Sequence, residues 1–255
     1  MSIGFFFFVS FIAFAFLTFV RKWHDYALLF TVAIGFAVNA NIYNSVTTPV
    51  MLGNIVFAID SILYTGFMFT VLIVAKEYGV RKAKIMTSST IAAILVSAFI
   101  EFFAKFSSFG YSQPIFNSLC SYIFSSLGTF LGVWIMLVIF EALEKRGTNT
   151  YINFINCVIV ASLINSLCYY GLSAVVTGTQ IDNFIYMLIG SYIGKFFSII
   201  LGLISYFINT HFWIPNDLKY KYPTKKVANQ NNMQNIMVQD TNQNENATQT
   251  NNSTT

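Results

Sequence analysis

Four charged side chains fall inside long apolar runs of this sequence: Asp60, Glu101, Lys105 and Lys195. An ionised group at the centre of a membrane span costs roughly 2.5–3.5 kcal/mol on insertion scales. Such residues are retained when they pair with one another or line a cavity. Their chemistry is recognition rather than bond making. A carboxylate accepts from N–H donors, an ammonium donates to a carbonyl, and an amide does both. The candidate solute-binding residues are therefore Asp60, Glu101 and Lys195, the amides Asn41, Asn44 and Asn165, and Tyr169, whose ring offers a stacking face.

Each of these residues also has a structural reading. Glu101 and Lys105 are four apart with Glu first, a spacing that closes an ion pair on one helix. Asp60 either holds a helix kink or pairs with Lys195. Lys195 falls near the middle of its run, too deep to reach the interface by stretching. Asn165 either binds a ligand or bridges two helices. The stripe Ser118, Ser121, Ser125, Gly128, Thr129, Gly132 has the small-residue spacing of a helix-packing seam, with a ligand wall as the alternative. Gly190, Gly194, Ser198 and Gly202 form a second seam of this kind, flanked by Lys195.

Nothing in the sequence assembles a catalytic set. Cys120, Cys157 and Cys168 form no CxxC pair, and His24 and His211 stand apart at span edges. Zinc-ligand spacing and a phosphate-cradling glycine loop are both absent. The expectation is a non-enzyme without metal, cofactor or nucleic-acid partner.

The elements that must position these residues follow from composition. Of 255 residues, 56% are apolar and only 9% charged, against about a quarter charged in soluble domains. That excludes a soluble enzyme and a secreted disulfide scaffold, and leaves a polytopic membrane protein. A hydrocarbon core of about 30 Å needs about 20 apolar residues per helix. Seven spans fit, at roughly 2–20, 26–46, 54–75, 85–106, 116–140, 151–176 and 184–210. The fold class is all-α, a bundle of about seven transmembrane helices. Continuous apolar runs exclude a β-barrel, whose strands alternate. The first run lacks a basic leader and a small-x-small cleavage site, so it reads as a retained helix rather than a signal peptide.

Basic residues fix an expected orientation. Twelve of the 14 follow spans one, three, five and seven: Arg21, Lys22, Lys76, Arg81, Lys82, Lys84, Lys145, Arg146, Lys219, Lys221, Lys225 and Lys226. The loops at 47–53, 107–115 and 177–183 have none. Positive loops stay cytoplasmic, which puts the N-terminus outside, the C-terminus inside and the chain in the cell membrane. Asp60, the outer half of span two with Asn39, Asn41 and Asn44, and Asn165, Tyr169 and Tyr170 then share one depth. That depth reads as a cavity opening outward and narrowing near Lys195.

The chain divides into a transmembrane unit, 1–214, and a cytoplasmic tail, 215–255. The tail begins with a basic patch suited to anionic lipid. It continues from Asn229 as an Asn/Gln/Thr-rich stretch that cannot bury enough apolar area to fold.

Several segments in order resemble the queuosine-precursor transporters, a family also described as putative vitamin uptake transporters, from about Phe14 to Ile208. They are Asn41-Ile42, Leu52-Gly53-Asn54, the loop Glu77-Tyr78-Gly79-Val80-Arg81-Lys82-Ala83-Lys84, the second basic loop Leu143-Glu144-Lys145-Arg146-Gly147-Thr148, and Ser191-Tyr192-Ile193-Gly194-Lys195. The pattern departs from the family at Leu72 and Lys76, where an acid is usual, and at Ser162 and Asn165, which stand near its Gln and Asp. The resemblance implies uptake of a 7-deazaguanine such as 7-cyano-7-deazaguanine or 7-aminomethyl-7-deazaguanine, with Lys195 matching the lysine of the last helix. Two rival readings are a substrate-binding subunit of an energy-coupling-factor importer and a non-transport membrane scaffold. The first would offer a separate energising module the face Ala33-x-x-x-Ala37. The partners expected are a small heterocyclic solute and the bilayer, with self-association left open.

Overall fold

In the computed structural model, residues 3–23, 25–46, 50–52, 55–57, 60–109, 113–177 and 181–212 are described. His24 and the whole tail expected at 215–255 lie outside the described residues, as do the side chains of Asn41, Asn44, Ser118 and Asp182. The chain divides into a unit of Met1–Phe212 and a unit of Trp213–Thr255. Only the first carries described structure.

Among the described residues there are seven helices and one short hairpin. The helices are α1 (Ile3–Arg21), α2 (Tyr26–Val46), α3 (Asp60–Tyr78), α4 (Val80–Phe109), α5 (Gln113–Lys145), α6 (Thr150–Thr177) and α7 (Ile181–Phe212). Five of them hold stretches long and apolar enough to cross a membrane: Asp60–Tyr78, Val80–Ser108, Leu119–Lys145, Thr150–Leu172 and Ile185–Phe212. The fold is thus an all-helical apolar bundle. Large side chains such as Phe11, Ile100, Phe103, Phe196 and Phe207 are turned outward. In water such a surface would aggregate, whereas in lipid it is the natural exterior.

The helix ends follow local chemistry. The Asp25 carboxylate accepts from the amides of Ala27 and Leu28, at 2.7 and 3.3 Å, and starts α2. Asn149 Oδ1 accepts the Tyr151 amide at 2.9 Å and starts α6. The sharp reversals after α3 and α5 use Gly79 (φ 97°) and Gly147 (φ 72°), a left-handed conformation that glycine adopts without a Cβ clash.

The third span differs from its sequence expectation. Residues 55–57 do not extend the helix. Instead Val50–Leu52 (β1) and Ile55–Phe57 (β2) pair antiparallel, with Val50 opposite Phe57 and Leu52 opposite Ile55. The residues between the strands in sequence, Gly53-Asn54, are a two-residue hairpin signature flanked by β-favouring residues. An apolar run hid it, because hydropathy does not separate strand from helix. The hairpin's second strand lies beside α7.

The shortened α3 is the hub. It touches each of the other six helices, and every residue from Asp60 to Ala75 is buried. A helix that is apolar on all sides belongs in the interior. Its hydroxyls are satisfied along its own axis, Thr65 donating to the Ser61 carbonyl and Thr70 to that of Gly66, both at 2.8 Å. Cross-helix pairs show the alternation of direction. Ser61 meets Ser191 and Arg21 meets Glu77, so α1, α3 and α7 run together. Phe154 meets Tyr206 while Ser166 meets Ser191, so α6 runs against them.

The described basic residues that follow α1, α3 and α5 collect at one end of the bundle. Arg21, 2% exposed, donates from Nε and Nη2 to Glu77 Oε1 at 2.9 and 2.6 Å and from Nη1 to the Tyr206 carbonyl at 3.1 Å. Its guanidinium lies 4.3 Å over the Tyr206 ring. Lys76 pairs with Glu144 at 2.5 Å, and Asn153 donates to Glu144 at 3.1 Å. The last turn of α3 is thereby tied to α1 and α7 on one side and to α5 and α6 on the other.

Candidate functional site

A small polar cavity lies at the opposite end of α3. Its wall comprises Asp60, Ser61 and Tyr64 of α3, Ser125 of α5, Asn165, Tyr169 and Tyr170 of α6, and Ser191 and Lys195 of α7. Asp60 and Lys195 are 7% and 3% exposed. The enclosed volume is about 10 Å³, roughly what one water requires.

Asp60 does not fall inside a helix running from 54, as the span 54–75 expects, but is the first residue of α3. The hairpin before it explains the shift. Its Oδ1 accepts the Ser61 amide at 2.8 Å, and the positive end of the helix dipole favours a carboxylate there. Lys195 is the fifteenth residue of the 32 in α7, well away from either end. Its ammonium donates to Ser166 Oγ at 2.6 Å and to Asn165 Oδ1 at 3.2 Å. Asn165 in turn donates from Nδ2 to Thr129 Oγ1 at 2.8 Å, which fixes its carbonyl oxygen toward Lys195. The chain of contacts continues from Ser166 Oγ to Ser191 Oγ at 3.4 Å and from Ser191 to Ser61 Oγ at 3.3 Å. Tyr64 hydrogen-bonds Ser125 on the facing helix.

The two charges interact electrostatically across the cavity, but no direct ion pair joins them among the described residues. Their charges cancel, which is the condition for keeping either one buried. The wall therefore presents an acceptor-only group, a donor-only group and a mixed amide around one space, with the Tyr169 and Tyr170 rings at its edge, 4.9 Å apart.

Of the candidates from sequence, Asp60, Asn165, Tyr169 and Lys195 come together in this wall. Glu101 does not. It pairs with Lys105 on α4 and accepts from Tyr122 of α5, on a part-exposed face away from the cavity. Depth along the membrane was shared, but direction around the helix was not. Asn41 and Asn44 lie on α2, with their side chains outside the described residues. Asn39 is exposed and donates to the Gly35 carbonyl at 2.8 Å.

Sequence reasoning missed Ser61, Tyr64, Ser166 and Ser191. The signal was helical spacing from the charges: Tyr64 is four residues after Asp60, and Ser191 four before Lys195. The small-residue stripe of α5 proved to be a seam and a wall at once. A Cβ on Gly132 would stand 2.7 Å from the Ala161 carbonyl oxygen, so α5 and α6 touch backbone to backbone there. Ser125 and Thr129 of the same stripe serve the cavity and its amide. In α7, Gly202 accommodates the Phe69 ring, 2.6 Å from where a Cβ would be. Ala33 and Ala37, the face that the rival importer-subunit reading would offer an energising module, are fully buried within the bundle.

Between the cavity and the basic end stands a layer of rings from five helices. Phe14 meets Phe69 at 6.0 Å, Phe69 meets Phe154 at 6.1 Å, and Phe154 meets Phe140 and Tyr206 at 5.7 and 4.7 Å. The polar space is thus closed toward the basic end by packed aromatics and, beyond them, by the Arg21 and Lys76 ion pairs.

Comparison with protein-family models, curated proteins and solved structures finds no match for this chain.

Proposed function

We propose that this chain is a transporter of the cell membrane that takes up a small flat heterocycle, with queuosine precursors of the 7-deazaguanine class as its first candidates. The observation that carries the reading is the buried, oppositely charged wall of Asp60 and Lys195 at one polar cavity inside an apolar bundle. Buried charges that only glued helices together would be expected to close a direct pair. A wall that keeps acceptor and donor apart suits a solute that needs both.

The chemical fit is specific. A 2-amino lactam edge carries two N–H donors beside a carbonyl. The donors match the Asp60 carboxylate, the carbonyl matches the Lys195 ammonium, and Asn165 can serve either. Tyr169 supplies a ring for stacking. Ligand pockets for molecules of drug size run to roughly 300–1,000 Å³, so a space of about 10 Å³ has to open as the solute enters. Opening on one side while the other stays sealed is alternating access. The ring layer and ion pairs at the basic end are suited to be the seal on the cytoplasmic side, in the orientation that the basic loops favour.

The experiment is complementation of a strain unable to salvage queuosine precursors, supplied with 7-cyano-7-deazaguanine or its 7-aminomethyl relative, reading queuosine in tRNA. The chain restores the modification, and Lys195→Ala does not. Full restoration by Lys195→Ala would remove the proposed role of the cavity.

A further inference from the structure

We propose that Lys195 is a tethered cation. Its ammonium occupies an all-oxygen site that would otherwise take an alkali metal ion, and the native chain therefore needs neither sodium nor potassium at this position. The oxygens that accept from Nζ are Asn165 Oδ1 at 3.2 Å and Ser166 Oγ at 2.6 Å. Ser191 Oγ lies 3.4 Å beyond Ser166, and Ser61 Oγ lies 3.3 Å from Ser191. The Asp60 carboxylate faces the same space. Two oxygens touch the ammonium, and two further hydroxyls and one carboxylate line the space beside it, all hard oxygen groups without sulfur or imidazole. That donor chemistry suits a hard cation such as sodium or potassium rather than a transition metal.

Charge supports the same assignment. Among the described residues of the wall, Asp60 and Lys195 are the only carboxylate and ammonium. Removal of the ammonium would leave a buried carboxylate without a counter-charge. It would also vacate the volume of the lysine side chain beside a cavity of about 10 Å³, room for a small ion. An alkali ion from solution then competes with a proton to neutralise Asp60.

The test is thermal unfolding of the purified full-length chain in choline, sodium or potassium chloride at constant ionic strength. The readout requires no solute, so it stands apart from the outcome of uptake assays. Lys195→Ala is expected to melt lowest in choline and to gain roughly 3 °C or more in sodium or potassium. The native chain and Lys195→Met, which keeps the bulk and leaves no room for an ion, show no such gain. Asp60→Asn combined with Lys195→Ala loses the response. The proposal is overturned if Lys195→Ala ignores the cation, if the response survives without Asp60, or if sodium or potassium stabilises the native chain. Should Lys195→Ala fold in none of the three salts, the native chain decides: invariance supports the tethered cation, and dependence overturns it.

Discussion

At the scale of residues, the informative groups are those that a bilayer should exclude. Asp60 and Lys195 sit in one wall, and each is tolerated because the other cancels its charge. Asp60→Asn or Lys195→Met alone should each cost about 3 kcal/mol, since each leaves a buried charge uncompensated. The double variant should recover most of that loss. A double-mutant cycle in choline medium reads the coupling directly, and strictly additive losses would contradict it. Lys195, Asp60, Asn165 and Tyr169 were legible in the sequence because a charge, an amide or a phenol in an apolar run is conspicuous. Ser61, Ser166 and Ser191 were not, because a serine can bond its own helix backbone and so occurs in spans without any site. Glu101 had the right depth and the wrong direction, and depth is all that a position along a span reveals.

At the scale of elements, α3 organises the bundle. One end begins at the cavity with Asp60, and the other is held by Lys76 and Glu77. The spans were legible because their lengths are dictated by the bilayer and their ends by glycine reversals and capping side chains. The hairpin at Val50–Leu52 and Ile55–Phe57 was not, because its residues are as apolar as the helix that follows. Two substitutions probe how α3 and its neighbours are held. Arg21→Gln removes the guanidinium that bridges Glu77 and Tyr206, and should lower unfolding stability by roughly 2–3 kcal/mol. Gly132→Val forces a side chain against the Ala161 carbonyl and should cost roughly 1–3 kcal/mol by overpacking the α5–α6 seam. Denaturant titration of either variant checks the figure, and an unchanged midpoint would show that the contact bears no strain.

At the scale of the whole molecule, the described bundle joins an apolar exterior, a polar cavity and a basic end closed by rings and ion pairs. The orientation rests on where lysine and arginine fall, since that bias sets which end of a bundle stays in the cytoplasm. In a background with Cys120, Cys157 and Cys168 replaced by serine or alanine, Ser108→Cys should react with a membrane-impermeant maleimide in intact cells. Thr148→Cys should react only after permeabilisation; both positions are exposed on the protein. The reverse pattern would invert the proposed direction. Transport of a heterocyclic solute through the proposed Asp60–Lys195 site can be read from uptake of labelled 7-cyano-7-deazaguanine into proteoliposomes of the purified chain. Saturable uptake is expected of the native protein, and a loss of at least about tenfold in Lys195→Met, equivalent to roughly 1.4 kcal/mol. Uptake no greater than in protein-free vesicles, or equal uptake by Lys195→Met, would contradict it.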